Sequence, residues 1–171
     1  NADNVFKFLD RKGLGPVRVI HSNKGQNARI NAINQFKEGE LRILVSTDVS
    51  ARGIDVSDVS HVINFDVPVI YEDYVHRIGR TGRAKKEGVA ITFANKAEIL
   101  HVGKIEEIIK ESVPKLKIPA AVAISKTDKA EQIEIERQID LFKRRENPDF
   151  KGAFHEKKRT PQAKKDKRRR R

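Results

Sequence analysis

Eight consecutive residues, His76-Arg77-Ile78-Gly79-Arg80-Thr81-Gly82-Arg83, set three arginines and two glycines at the end of a short expected helix. Arginine offers planar donors that match phosphate oxygens and stays charged at any working pH. Glycine lets backbone approach a ligand closely. Arg80 and Arg83 are three residues apart, so both can converge on one anion. A second cluster, Ser46-Thr47-Asp48-Val49-Ser50-Ala51-Arg52-Gly53-Ile54-Asp55, follows an apolar run that reads as a strand. It therefore lies at a strand's carboxyl end, the edge where open α/β sheets bind ligands. Its hydroxyl, carboxylate and guanidinium groups suit sugar hydroxyls and phosphates, although Asp48 could equally serve only to cap a short helix. A third cluster, Gln26-Asn27-Ala28-Arg29, opens a helix after His21-Ser22-Asn23-Lys24-Gly25. A helix start presents free N–H groups to an anion, and it is also an ordinary helix start with Asn23 as cap.

Other chemistries lack their residues. The sequence contains no GxxxxGK[ST] phosphate loop. It has no cysteine, which excludes disulfides and thiolate metal sites and fits a reducing, cytoplasmic location. The five histidines lack paired spacing, and no metal site is expected. No run approaches the ~20 apolar residues of a membrane helix, so no membrane partner is expected. Residues 1–10 show no charged-then-apolar layout of a signal peptide.

The charge is uneven. The 171 residues carry 36 Lys and Arg against 24 Asp and Glu, net +12. Residues 156–171 alone hold 10 basic and 2 acidic residues, a surplus of eight, leaving +4 for the rest. Such a tail cannot bury surface and is expected to be disordered. A dense cationic tail attracts a polyanion by counterion release, which points to nucleic acid, against the plainer reading of a solubilising tail.

The elements that must position these clusters alternate. Helices are expected over residues 1–12, 27–38, 71–78 and 96–111, each from apolar residues at three- or four-residue spacing. Strands are expected over 17–20, 41–45, 61–65 and 89–93. Apolar strands separated by helices indicate a parallel sheet sandwiched by helices, an α/β fold. After Pro114 the texture changes, and a charged helix is expected over 130–145. The division follows: residues 1–118, an extension over 119–155, and the tail.

In order along the chain, the three clusters resemble the second RecA-like domain of the DEAD-box RNA helicases. Gln26–Arg29 is similar to the family's QxxR motif, Ser46–Asp55 to TDxxARGxD and His76–Arg83 to HRxGRxxR. Val62-Ile63-Asn64-Phe65-Asp66-Val67-Pro68 and Gly88-Val89-Ala90-Ile91-Thr92-Phe93 add to the likeness, which covers roughly residues 1–118. Residues 147–157 resemble bacterial RhlE-like members. The family's domain opens with a strand that does not precede Asn1 here, so the RecA-like sheet is expected to lack its first strand and to expose an edge.

The resemblance implies roles. Arg80 and Arg83 would be catalytic fingers at the γ-phosphate of ATP, and Gly53 and Asp55 would meet the nucleotide. Thr47, Gln26, Arg29 and Ser22 would face the RNA backbone, Ser22 standing where many members have Gly. Arg52 would bridge the core and, with His76 and Arg77, serve coupling between domains. ATP with Mg²⁺ would be held mainly by the N-terminal RecA-like domain of the same protein, and RNA would be bound without much sequence preference. The full protein would be an RNA-dependent ATPase and helicase, with these 171 residues inactive alone. The alternative is a non-catalytic RNA-binding or annealing module.

Overall fold

Val17-Arg18-Val19-Ile20 is short, β-branched and bounded by Pro16, and it forms strand β1 (Val17–Ile20). It pairs in parallel with β2 (Ile43–Ser46), Val17 opposite Ile43 and Ile20 opposite Ser46. A second parallel pair joins β3 (His61–Asn64) and β4 (Val89–Thr92), His61 opposite Val89 and Asn64 opposite Thr92. The computed structural model describes residues 1–51, 56, 59–82 and 87–152. Among these the strands form two parallel pairs rather than one continuous sheet. The backbone divides into two compact units, Asn1–Phe93 and Ala94–Arg171.

In the first unit, parallel neighbours need crossover connections, and helices supply them. Helix α1 (Ala2–Arg11) and helix α2 (Gln26–Lys37) both pack on β1 and β2. The turn after α2 uses Gly39 at φ +79°, a left-handed conformation that glycine adopts without steric cost. Short α3 (Asp48–Ala51) follows β2, and α4 (Tyr71–Ile78) packs on α3 and β3. The core is Ile20, Ala32 and Val56, with Ile33, Phe36, Leu44 and Val59 against it. On the β3–β4 pair, Ile63, Phe65, Val89 and Phe93 share one face and stay exposed.

The second unit contains α5 (Glu98–Ile109) and α6 (Lys129–Glu146). Asn95 Oδ1 accepts the N–H groups of Ala97 and Glu98, and the Glu98 carboxylate accepts the Asn95 N–H. This reciprocal cap starts α5, whose Ile105 is fully buried. Asp128 caps α6 by accepting the Lys129 N–H at 2.7 Å. Lys143, Arg144 and Arg145 occupy its last turn, the end that favours cations. The expected tail, residues 156–171, lies outside the described residues.

Candidate nucleotide and RNA interface

The second and third sequence clusters meet the first unit at the carboxyl ends of its strands. β1 ends at Ile20, and His21-Ser22-Asn23-Lys24-Gly25 turns into α2. The turn is built on His21. Its carbonyl accepts the Lys24 N–H at 3.0 Å, and its Nδ1 accepts the Asn23 N–H at 3.2 Å. On the other side of the ring, Nε2 lies 3.0 Å from Asp3 Oδ2 of α1, and Lys24 Nζ lies 3.4 Å from Asp3 Oδ1. The hydrogen bond from His21 and the positive charge of Lys24 hold the Asp3 carboxyl below its usual range. Ser22 and Gln26 are exposed, as a ligand-facing turn requires. One turn into α2, Arg29 Nη1 donates to Gln26 Oε1 at 3.2 Å, while Arg29 Nε is buried without a hydrogen-bond partner. The QxxR spacing thus makes an i,i+3 pair on one helix face.

β2 ends at Ser46, and Thr47 continues it: its N–H points to the Ile20 carbonyl at 3.4 Å, so the ends of β1 and β2 stay in step. The Thr47 carbonyl accepts the Ser50 N–H and the Ser46 hydroxyl, closing the turn into α3. Ser50 is buried.

The side chain that organises this edge is Arg77. Its Nε donates to Asp48 Oδ1 at 2.6 Å and its Nη2 to Asp48 Oδ2 at 2.7 Å, a two-pronged pair between α4 and α3. Its Nη1 donates to the Asp66 carbonyl at 2.7 Å and reaches Asn64 Oδ1 at 3.4 Å. Asn64 in turn donates to Thr92 Oγ1 at 3.0 Å, across to β4. Burial opposes the guanidinium charge, but the hydrogen bond and charge of Asp48, with Asp66 and Asp73 nearby, outweigh it and raise Arg77 above its ordinary value. Planar charge-assisted pairs of this kind fix geometry as well as adding energy. Arg77 therefore joins the β1–β2 half of the unit to the β3–β4 half.

Helix α4 ends at Gly79, and Arg80 follows half-buried, its N–H donating to the Arg77 carbonyl at 3.2 Å. His76 is exposed, with Nδ1 3.5 Å from the buried Asp73 carboxylate. Arg52, Gly53, Asp55 and Arg83 lie outside the described residues. Of the expected site residues, Thr47, His76, Arg77 and Arg80 sit on one braced assembly of α3 and α4, and Ser22, Gln26 and Arg29 on the neighbouring turn and helix. Asp48, Asn64, Asp66 and Thr81 carry more of the geometry than the residue-type reading gave them. The signal available was charge complementarity: a carboxylate in one cluster matched to an arginine in another.

The chemistry of the donor set is guanidinium, amide and hydroxyl. Among the described residues no group of three or more His, Asp or Glu side chains converges as a metal ion would require. These donors fit phosphate oxygens, not the cation that would accompany them.

The family described as helicase conserved C-terminal domain matches residues 1–85. In crystal structures, the chain is similar to the Escherichia coli DEAD-box protein SrmB, solved bound to regulator of ribonuclease activity A. The match is 37% identical, with a TM-score of 0.63, over 73% of this chain and 75% of that one. The chain belongs to the DEAD-box RNA helicases. It carries their helicase C-terminal domain, and the fold of that part is the RecA-like α/β fold. A DEAD-box protein from Methanococcus jannaschii aligns at 41% identity and a TM-score of 0.62, over 68% of this chain and 32% of that one. The ATP-dependent RNA helicase RhlB of Shewanella woodyi is 49% identical over 67% of this chain and 26% of its own length. CshA of Listeria monocytogenes is 45% identical over 68% and 22%. The chain thus spans about a quarter of the length of these curated relatives. No helix among the described residues is long and apolar enough to cross a membrane.

Proposed function

We propose that this helicase C-terminal domain forms the second half of an RNA-dependent ATPase and RNA helicase. Its residues 1–118 would act as the helicase domain, 119–155 as an extension and 156–171 as a basic tether. Arg80 and Arg83 would extend to the γ-phosphate of ATP held with Mg²⁺ on an N-terminal RecA-like domain of the same protein, while Gly53 and Asp55 face the nucleotide. Bound ATP would supply the hydrolysable phosphoanhydride. Arg80 offers fixed positive charge where phosphate charge develops, an effect worth on the order of 10³ or more in rate. Thr47, Ser22, Gln26 and Arg29 would hold the RNA backbone, with little sequence preference because phosphates and 2′-hydroxyls are common to all RNA. His76 and Arg52 would couple this domain to the first on closure. Arg77 would act in that coupling through the brace it already makes.

The observation that supports this reading most is the Arg77–Asp48 pair. It ties the Thr47 turn to the helix that leads into Arg80, so RNA-facing and phosphate-facing groups share one rigid frame. The test is a separation of effects in the intact polypeptide. Arg29→Ala should weaken binding of a single-stranded RNA by about tenfold, the loss of roughly 1.4 kcal/mol. Its ATPase rate at saturating RNA should change little. Loss of ATPase with unchanged RNA affinity in Arg29→Ala would overturn the assignment.

A second reading, a non-catalytic RNA-binding or annealing module, is favoured by the net charge of +12. It predicts RNA binding that depends steeply on salt and no ATP turnover.

A further inference from the structure

We propose that Thr81 and Gly88 are positioning residues that set the aim of Arg80. This rests on the reading of Arg80 as the group that meets the transferred phosphate.

Arg80 is the first residue past the Gly79 that ends α4, a place where chain would ordinarily fray. Here its backbone is secured from both sides. Its N–H donates to the Arg77 carbonyl, and its carbonyl accepts the Val59 N–H at 3.3 Å. The next residue, Thr81, forms a parallel bridge with Val59 and is nine-tenths buried. Its N–H donates to the Ile78 carbonyl at 3.0 Å. Its hydroxyl donates to the Val59 carbonyl, with the Ser60 carbonyl also within reach at 3.2 Å. Val59 packs against the core of Ile20, Ala32 and Val56. The chain carrying Arg80 is thereby fastened to the centre of the first unit.

Gly88 closes the other side. Gly82 turns the chain at φ +68°. Gly88 then returns so close that a Cβ placed on it would lie 2.9 Å from Thr81 Cβ and nearer still to the Thr81 hydroxyl and the Gly82 nitrogen. Only a residue without a side chain fits there. The next residue, Val89, donates its N–H to the Ser60 carbonyl at 3.0 Å, the carbonyl that the Thr81 hydroxyl also approaches. Residues 59–60, 80–82 and 88–89 thus lock one another. A side chain at position 88 would push Thr81 and Gly82 outward and swing Arg80 with them. Misplacing a group by about 1 Å can cost on the order of 10²-fold in rate.

The experiment is a double-mutant cycle on RNA-stimulated ATP hydrolysis by the intact polypeptide, under single-turnover conditions that resolve low rates. Thr81→Val keeps the shape and removes the hydroxyl. It should lower the hydrolysis rate about tenfold, within the range for a misaimed group. The apparent affinities for ATP and RNA should stay put. Thr81→Ser should restore the rate, and Gly88→Ala should act like Thr81→Val. In an Arg80→Ala background, Thr81→Val should have no further effect, because the aim of a missing side chain does not matter. An equal loss with and without Arg80, or an unchanged rate in Thr81→Val, overturns the proposal. An unchanged rate in Arg80→Ala alone removes the finger reading itself, and the proposal falls with it.

Discussion

Residues 1–93 and residues 94–152 are held together by different means. The first unit has paired strands, a buried apolar centre and a guanidinium fork that reaches α3, β3 and the start of the 66–70 turn. In the second unit, the 18-residue helix α6 buries none of its residues. It is held by an edge-on contact of Phe142 with His101, by Lys104 between Glu107 at 3.4 Å and Glu146 at 3.2 Å, and by Lys143 over the Phe150 ring. Exposed ion pairs of that kind contribute about 0–1 kcal/mol each. The residues proposed to meet phosphate and RNA belong to the first unit, where the Arg77–Asp48 pair ties α4 to the turn after β2.

Substitutions should separate the two regimes. The largest effect is expected at Ile20, fully buried beneath α2. Ile20→Ala should lower unfolding stability by about 3 kcal/mol in urea titration. A loss below about 1 kcal/mol would mean that the first unit lacks the packed centre described. Asp48→Ala should come next, at about 2 kcal/mol, because it leaves the half-buried Arg77 guanidinium without its main partner. The same measurement on Arg77→Lys tests the fork: a single ammonium cannot make both bonds, so lysine should not rescue. By contrast Ile133→Ala, on the exposed side of α6, should shift stability by less than about 0.5 kcal/mol. A larger shift there would show that α6 is buried against something.

The smallest effects are in pH, and they divide the units by direction. Asp3 is held low chiefly by its hydrogen bond from His21. Its contribution is present above the ordinary carboxylate range and is lost as pH falls through the lowered folded-state value. Lys104 is held high chiefly by its hydrogen bond to Glu146 and by the charge of Glu107. Its contribution is present below the ordinary lysine value and is lost as pH rises through the raised one. Asp3→Asn should therefore flatten only the acid limb of a stability–pH profile, and Lys104→Met only the alkaline limb. A change on the opposite limb would contradict the pairing.

Much of the fold was legible because its elements are short, apolar and sharply bounded. Val17–Ile20 and Tyr71–Ile78 form over the residues expected. The shifts have local causes. β2 was expected from residue 41, but the Leu41 N–H still donates back to the Gln35 carbonyl at the exit of α2, so the ladder begins at Ile43. β3 was expected through Phe65, yet the ladder closes where the Phe93 N–H meets the Asn64 carbonyl. α5 was expected from residue 96, and the Asn95–Glu98 cap moves its start to Glu98. On α2, Ala32 is buried with Ile33 and Phe36 packed beside it, whereas Ile30 stays exposed.

The site was legible as residue types but not as contacts. Arg77 and Asp48 are 29 residues apart, and Thr81 and Val59 are 22 apart. No periodicity connects such pairs; only the chain's return through α4 brings them together. Residue type alone reads Asp48 equally well as a simple helix cap, and it does sit in the first turn of α3. Its two bonds to Arg77 give it a second role that spacing alone cannot carry.

Arg80 is proposed to bring a fixed positive charge from the first unit to phosphate chemistry completed by another domain. RNA-stimulated ATPase of the intact polypeptide, its Arg80→Ala variant and these 171 residues alone tests this role most directly. A strong RNA-dependent rate is expected, with a fall on the order of 10³ or more in Arg80→Ala and no turnover by the 171 residues. An unchanged rate in Arg80→Ala, or turnover by the 171 residues alone, would contradict it.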